Sequence, residues 1–174
     1  MAQSIYAFEG KTPIVDPAAW VAPTAAVIGD VTIGPRSSIW FHCVLRGDTN
    51  FIRIGAGTNI QDGTIIHVNA GTQATVIGDD VTVGHMAIIH ACTLEDRAFV
   101  GMGAIVLDEA VIEQGGVLAA GSVLPPRKRI GRLEMWIGNP AKLVRVLTEE
   151  ARAGFDTTAP HYAALSARYR LATS

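Results

Sequence analysis

Aliphatic residues recur every six positions along most of the chain: Val21, Val27, Ile33, Ile39 and Leu45, then Ile54, Ile60 and Ile66, then Ile77, Val83 and Ile89, then Val100, Val106, Ile112, Leu118 and Leu124. Four residues after most of them stands a small or β-branched side chain, among them Val31, Ser37, Cys43, Thr49, Thr58, Thr64, Val81, Ala87, Thr93 and Ala104. A period of six fits neither the turn of an α-helix nor the alternation of a lone strand. It fits short strands joined by tight turns into a triangular coil, three hexads or about 18 residues to a coil, stacked at the parallel-strand spacing of ~4.8 Å. The pattern predicts an all-β solenoid, a parallel β-helix of hexapeptide repeats, over about residues 13–125. Glycines that follow aliphatic residues (Gly29, Gly34, Gly55, Gly78, Gly84, Gly101) are expected to supply the turn conformations. A doubly wound α/β fold would need long helical segments between strands, and none is visible before residue 140.

After the coils, Trp136-Ile137-Gly138-Asn139-Pro140-Ala141-Lys142 turns the chain back within a return segment, 126–147. Thr148-Glu149-Glu150 then offers a capping hydroxyl and an acidic first turn, opening a C-terminal helical segment over 148–172 whose second stretch runs from about Thr158 to Leu171. Residues 1–174 are read as one domain.

The five histidines acquire meaning only when indexed on this ladder. Eleven steps separate Ile66 from Ile77 where a hexad takes six, so the five extra residues, within Asn69 to Thr75, leave as a loop. With that correction Leu45, Ile66 and Ile89 share one face, and the residues just after them, Arg46, His67 and His90, form one outward column. Ile39, Ile60 and Val83 share the preceding face, which carries Gln61, Asp62 and, beyond Asp62, His85. Two histidines on one face and a third around a corner do not readily close on one ion at ligand distances of ~2.0–2.1 Å within a rigid prism. A second subunit related by a threefold axis would bring the third ring, giving three equivalent sites.

Composition narrows the setting. With 49% hydrophobic and 17% charged residues and no apolar run of membrane-spanning length, the chain reads as soluble and no membrane partner is expected. A net charge of −2 argues against a nucleic-acid partner, and Arg127-Lys128-Arg129 reads as a solvated turn. The opening residues contain no secretory pattern, and Cys43 and Cys92 form neither a metal pair nor a disulfide framework, so a cytoplasmic location is expected.

Arg46-Gly47-Asp48, Asn59-Ile60-Gln61-Asp62-Gly63, His67, Gly84-His85-x4-His90 and Gly101-Met102-Gly103 together resemble the γ-class carbonic anhydrase family, over about Val21 to Leu147. The resemblance implies a left-handed coil and a homotrimer. It also implies a metal site made by His67 and His90 of one subunit and His85 of another, holding Zn²⁺, with Fe²⁺ or Co²⁺ as substitutes. The implied activity is the reversible hydration of CO₂ to bicarbonate through a metal-bound hydroxide at the trimer interfaces. Gln61 is implied as a hydrogen-bonding partner of that hydroxide, Asp62 and Tyr162 as further residues of the site, and Arg46 and Asp48 as an interface ion pair. Two features depart from the family pattern. The loop Val68-Asn-Ala-Gly-Thr-Gln-Ala74 has none of the carboxylates that shuttle protons in characterised members, and His161-Tyr162 stands where relatives carry Asn-Tyr. A histidine is chemically suited to pass protons near neutrality, which makes His161 a candidate replacement. Acyl or thioester chemistry on a coenzyme A substrate, and a non-catalytic metal-binding scaffold, are the competing readings, because this architecture hosts all three.

Overall fold

The computed structural model describes residues 4–71 and 73–172. Thr72 of the loop and the first three residues used above lie outside them. The chain winds into a left-handed parallel β-helix of about seven turns, closed by two C-terminal helices.

Each flat of the prism carries one stack of inward side chains. The first runs Val21, Ile39, Ile60, Val83, Val100, Leu118 and Trp136. The second runs Ile5, Val27, Leu45, Ile66, Ile89, Val106 and Leu124, and the third Val15, Ile33, Ile54, Ile77, Leu94, Ile112 and Ile130. Interior rungs are buried, as are the terminal Leu124 and Ile130, while Ile5, Val15, Val21 and Trp136 are partly buried against the same continuous core. Each fully buried aliphatic side chain contributes about 1.5–3 kcal/mol of transfer free energy, so the stacks carry the fold without disulfides.

The coils reach further than the expected 13–125, since Ile5 stacks on Val27 and Ile130 on Ile112. Leu94 belongs to the ladder although it follows Ile89 by five steps, a shortfall that a strict period of six passes over. Two expected corner residues are therefore displaced. Thr93 lies partly exposed in the strand Thr93–Leu94, and Thr49 is exposed because the strand Val44–Ile54 swings out through residues 48–51.

The glycine expectation needs a correction. Of the six glycines named, only Gly29 has a left-handed backbone; that conformation falls instead on His42, Gly63, Met86 and Gly103 at one corner and on Arg36, Gly57, Asp80 and Arg97 at another. Gly84 is small for a different reason: a Cβ there would lie 2.7 Å from the Met102 amide nitrogen in the next coil. Close approach of coils, rather than turn geometry, demands glycine at that position.

The strands Glu134–Gly138 and Ala141–Val146 form the antiparallel return. Helix α1 (Glu149–Asp156) is capped by Thr148, whose Oγ1 accepts from the Ala151 amide at 3.1 Å. Arg152, buried on α1, donates from Nε to the Gly115 carbonyl at 3.0 Å and from Nη2 to the Arg97 carbonyl. Its Nη1 stands 3.0 Å from Asp156 Oδ1, an ion-pair contact without hydrogen-bond geometry. Helix α2 (Thr158–Ala172) lies along the first flat, where Tyr162 packs edge-on against Trp40 with ring centroids 5.1 Å apart and Tyr169 meets Trp20 at 5.3 Å. This helical cover turns the first flat into the wall of a groove.

Candidate metal centre

His67 ends the strand Ile65–His67 and His90 ends Ile88–His90, and the ladder pairs Arg46 with His67 and His67 with His90. The column read from the hexad count is thus present on three adjacent coils. Alternation turns the preceding residues, Ile66 and Ile89, into the core and these polar side chains outward.

The two rings face each other, with His67 Nδ1 and His90 Nε2 3.2 Å apart. Each outer nitrogen meets a carboxylate: His67 Nε2 lies 3.1 Å from Asp48 Oδ1, and His90 Nδ1 lies 2.6 Å from Asp108 Oδ1. Burial works against the charge of Asp48, but Arg46, His67 and the Thr49 amide outweigh it and bring its carboxyl down to about 2. Burial likewise opposes ionisation of Asp108, while His90 and the Asn69 amide hold its carboxyl below the usual carboxylate range. An ionised carboxylate can only accept, so a neutral ring at either position carries its proton on the outer nitrogen and turns its inner lone pair toward the other ring. Lone pairs so placed repel unless a cation lies between them. Two ligand bonds of ~2.0–2.1 Å in tetrahedral geometry would separate their nitrogens by ~3.3–3.4 Å, so the observed spacing suits a metal ion.

His85 stands around the corner, directly after Gly84. Its Nδ1 lies 3.0 Å from Asp62 Oδ2, an ion-pair contact without hydrogen-bond geometry, and its Nε2 lies 3.5 Å from the Tyr162 hydroxyl. His67 and His90 therefore share one design, in which a carboxylate hydrogen-bonds one nitrogen and the other is left to bind, whereas the carboxylate beside His85 stands at ion-pair distance only. Burial, and secondarily the Asp62 charge, push the Tyr162 phenol above its usual pKa and keep it protonated. Gln61 is buried, and its Nε2 donates to Asn59 Oδ1 at 3.0 Å while Asn59 Nδ2 donates to Thr82 Oγ1 at 3.0 Å. With its amide nitrogen committed, Gln61 offers Oε1 as an acceptor. Gln61, His85 and Tyr162 line one end of a groove of about 380 Å³ between the first flat and the helices, whose other walls include Phe99, Met102, Met135 and Phe155.

Within one chain no group of three or more His, Cys, Asp or Glu side chains able to hold a metal forms among the described residues. The structure gathers His67 and His90 on one face and His85, Asp62, Gln61 and Tyr162 on another. Arg46 pairs with Asp48 of its own chain. His161 is exposed, its ring edge-on to Tyr162 at 5.7 Å.

Two residues of the centre escape the sequence reading, Asp108 and Asn69, while Asn59 enters it only as part of a motif, without its contact to Gln61. The coil after Ile89 is one residue short, so the ladder sets Leu107 level with His90 and Asp108 one position beyond, where the column count does not point. Asn69 lies in the loop where the period is lost.

No protein-family model matches the chain. Gamma carbonic anhydrase 1, mitochondrial, of Arabidopsis thaliana is 50% identical over 161 residues, covering 90% of this chain and 58% of the relative. The chain thus spans under two thirds of the length of that relative. A carbonic anhydrase of Geobacillus kaustophilus is 44% identical over 84% of this chain and 80% of its own length. The crystal structure of a hexapeptide transferase family protein from Anaplasma phagocytophilum superposes with a TM-score of 0.91 at 49% identity, covering 95% of this chain and 97% of that one. With the histidine and carboxylate geometry set beside these likenesses, the chain belongs to the γ-class carbonic anhydrase family of hexapeptide-repeat proteins.

Proposed function

We propose that this protein is a metal-dependent carbonic anhydrase, interconverting CO₂ and bicarbonate at sites shared between the subunits of a homotrimer. The observation that carries the proposal is the facing pair of inner nitrogens on His67 and His90, 3.2 Å apart, each ring held from behind by a carboxylate, with His85 on the adjoining face beside Asp62. His67 and His90 of one subunit and His85 of a neighbour would hold the ion. Exposed apolar side chains beside them, Ile65 at 46%, Met86 at 69% and Met102 at 59%, supply the surface that subunit contact would cover.

A bound Zn²⁺, or Fe²⁺ or Co²⁺ among the same imidazoles, would supply Lewis acidity enough to draw a hydroxide nucleophile from water near neutral pH. The chain's own residues do the rest. Gln61 Oε1 accepts a hydrogen bond from a proton-bearing oxygen and fixes its direction. Asp62 sets a negative charge beside His85 Nδ1, and Tyr162, held protonated, donates into the same space. The apolar wall of Phe99 and Met102 admits CO₂ and discourages bulk water. Protons leave past the exposed His161, since the loop after His67 has no carboxylate. The two thiols, unpaired and buried, favour a reducing compartment, and the cytoplasm is the location we assign.

Subunit exchange tests the shared site. His85→Ala and His67→Ala chains, each unable to hold metal alone, are mixed under conditions that scramble trimers. Wherever a His85→Ala chain supplies His67 and His90 to a neighbour that supplies His85, a complete site returns, so about a quarter of the sites should regain metal and CO₂ hydration. Scrambled trimers, verified by mass, that stay metal-free and inactive would sink the proposal.

One observation favours the second reading, acyl or thioester chemistry. The groove of about 380 Å³ beside His85 is far larger than CO₂ requires and its walls are mostly apolar. Turnover of a short-chain acyl-CoA by metal-stripped protein would select that reading over hydration.

A further inference from the structure

We propose that Asp108, braced by Asn69, is a positioning residue that fixes the His90 ring for metal binding, and that the loop after His67 exists to hold this brace. The proposal rests on the metal-site reading above. Asp108 reaches His90 Nδ1 at 2.6 Å from the coil beyond, after the strand Ile105–Val106. Its other oxygen accepts from Asn69 Nδ2 at 2.9 Å, across 39 residues of sequence. Neither partner is loose. The Asp108 carbonyl accepts from the Arg127 amide at 2.9 Å, and the Glu109 amide donates to the Ala91 carbonyl at 2.8 Å, so the turn is tied to coils on both sides. The Asn69 amide donates to the Gln73 carbonyl at 3.0 Å, and the Asn69 and Gly71 carbonyls accept from Asn50 Nδ2 at 3.3 and 3.0 Å. Asn50 belongs to the other excursion from the ladder, so the two insertions brace each other beside the column.

The chemistry separates Asp108 from Asp48. Asp48 shares its charge between Arg46 and His67, whereas the only ionisable side chain paired with Asp108 among the described residues is His90. A partly buried anion with no cation of its own is best compensated by a positive charge on the far side of the ring it holds. Taking the Nδ1 proton of His90 as its hydrogen bond leaves Nε2 as the lone pair that faces His67. Without that acceptor the ring could turn, or carry its proton on Nε2, and the two inner nitrogens would no longer converge.

Two measurements on the intact oligomer test this. In metal-free protein with ¹⁵N-labelled histidine, at about pH 9 where imidazole is neutral, His90 should be the Nδ1–H tautomer. Asp108→Ala should convert it to the Nε2–H form, and Asp108→Asn, whose Oδ1 can accept the same proton, should preserve it. In zinc competition against a chelator of known affinity, Asp108→Ala should weaken binding about 10–100-fold, Asp108→Asn less than about fivefold, and Asn69→Ala by a few-fold. An Nε2–H tautomer in the unmodified protein, or Asn and Ala variants equally impaired, would overturn the role of Asp108. An unmodified protein with the expected tautomer but no zinc affinity would instead refute the metal-site reading while leaving the hydrogen-bonded brace standing.

Discussion

The two faces that carry histidines are built from different materials. His67 and His90 stand on solenoid alone: strands above and below, carboxylates from the neighbouring coils, and two insertions tied to each other. His85 depends on the helical cover as well, because Tyr162 comes from α2 and the cover is anchored through Arg152 of α1. One half of the site is therefore as rigid as the ladder, and the other is as secure as the docking of a short C-terminal segment. Local stability need not be uniform across a molecule, and the boundary here runs through the candidate site.

The contrast is broken most forcefully at the rings. His85→Ala and His90→Ala should each remove metal from the oligomer, seen as loss of nearly one ion per three-histidine site by elemental analysis, while the far-ultraviolet circular dichroism stays unchanged. Metal retained at full occupancy in His85→Ala would remove the second face from the centre. Next in size is Arg152→Ala, which strands the Gly115 and Arg97 carbonyls and should cost about 2–4 kcal/mol in denaturant unfolding. If the two faces differ as described, hydrogen exchange in this variant quickens in α1 and α2 and leaves the strands Ile65–His67 and Ile88–His90 protected. Gln61→Ala should lower CO₂ hydration about tenfold or more with metal still bound, and an unchanged rate would exclude Gln61 from the chemistry.

The smallest expected effect is with acid. Asp48 has its folded pKa lowered to about 2, below its unfolded value, so its contribution is complete above about pH 4 and disappears as the pH falls towards about 2. Asp48→Asn should flatten that limb of the acid-unfolding curve, and an identical limb would mean that the Arg46–Asp48–His67 cluster adds nothing to folding.

Much of this was legible because a hexad ladder converts sequence distance into position. Counting from Leu45, Ile66 and Ile89 is enough to put Arg46, His67 and His90 in one column and His85 around a corner, before any contact is known. What stayed hidden has physical causes. Asp108 stands one position past the rung level with His90, because the coil between them is a residue short, and only its contact marks it. Asn69 and Asn50 sit where the period lapses, so their mutual contact had no coordinate on the ladder. The glycines were misread because a turn and a close approach both call for a missing Cβ, and only the distance to the next coil tells them apart. Leu94 was lost to a single absent residue.

That absent residue points to something broader. Ile89 to Leu94 takes five steps, Leu45 to Ile54 nine and Ile66 to Ile77 eleven, and still every rung lands on its stack. Length is thus fixed on the flats and negotiable at the one edge between the second and third of them, so such a scaffold can acquire new furniture by growing outward at that edge, leaving the floors above and below where they were.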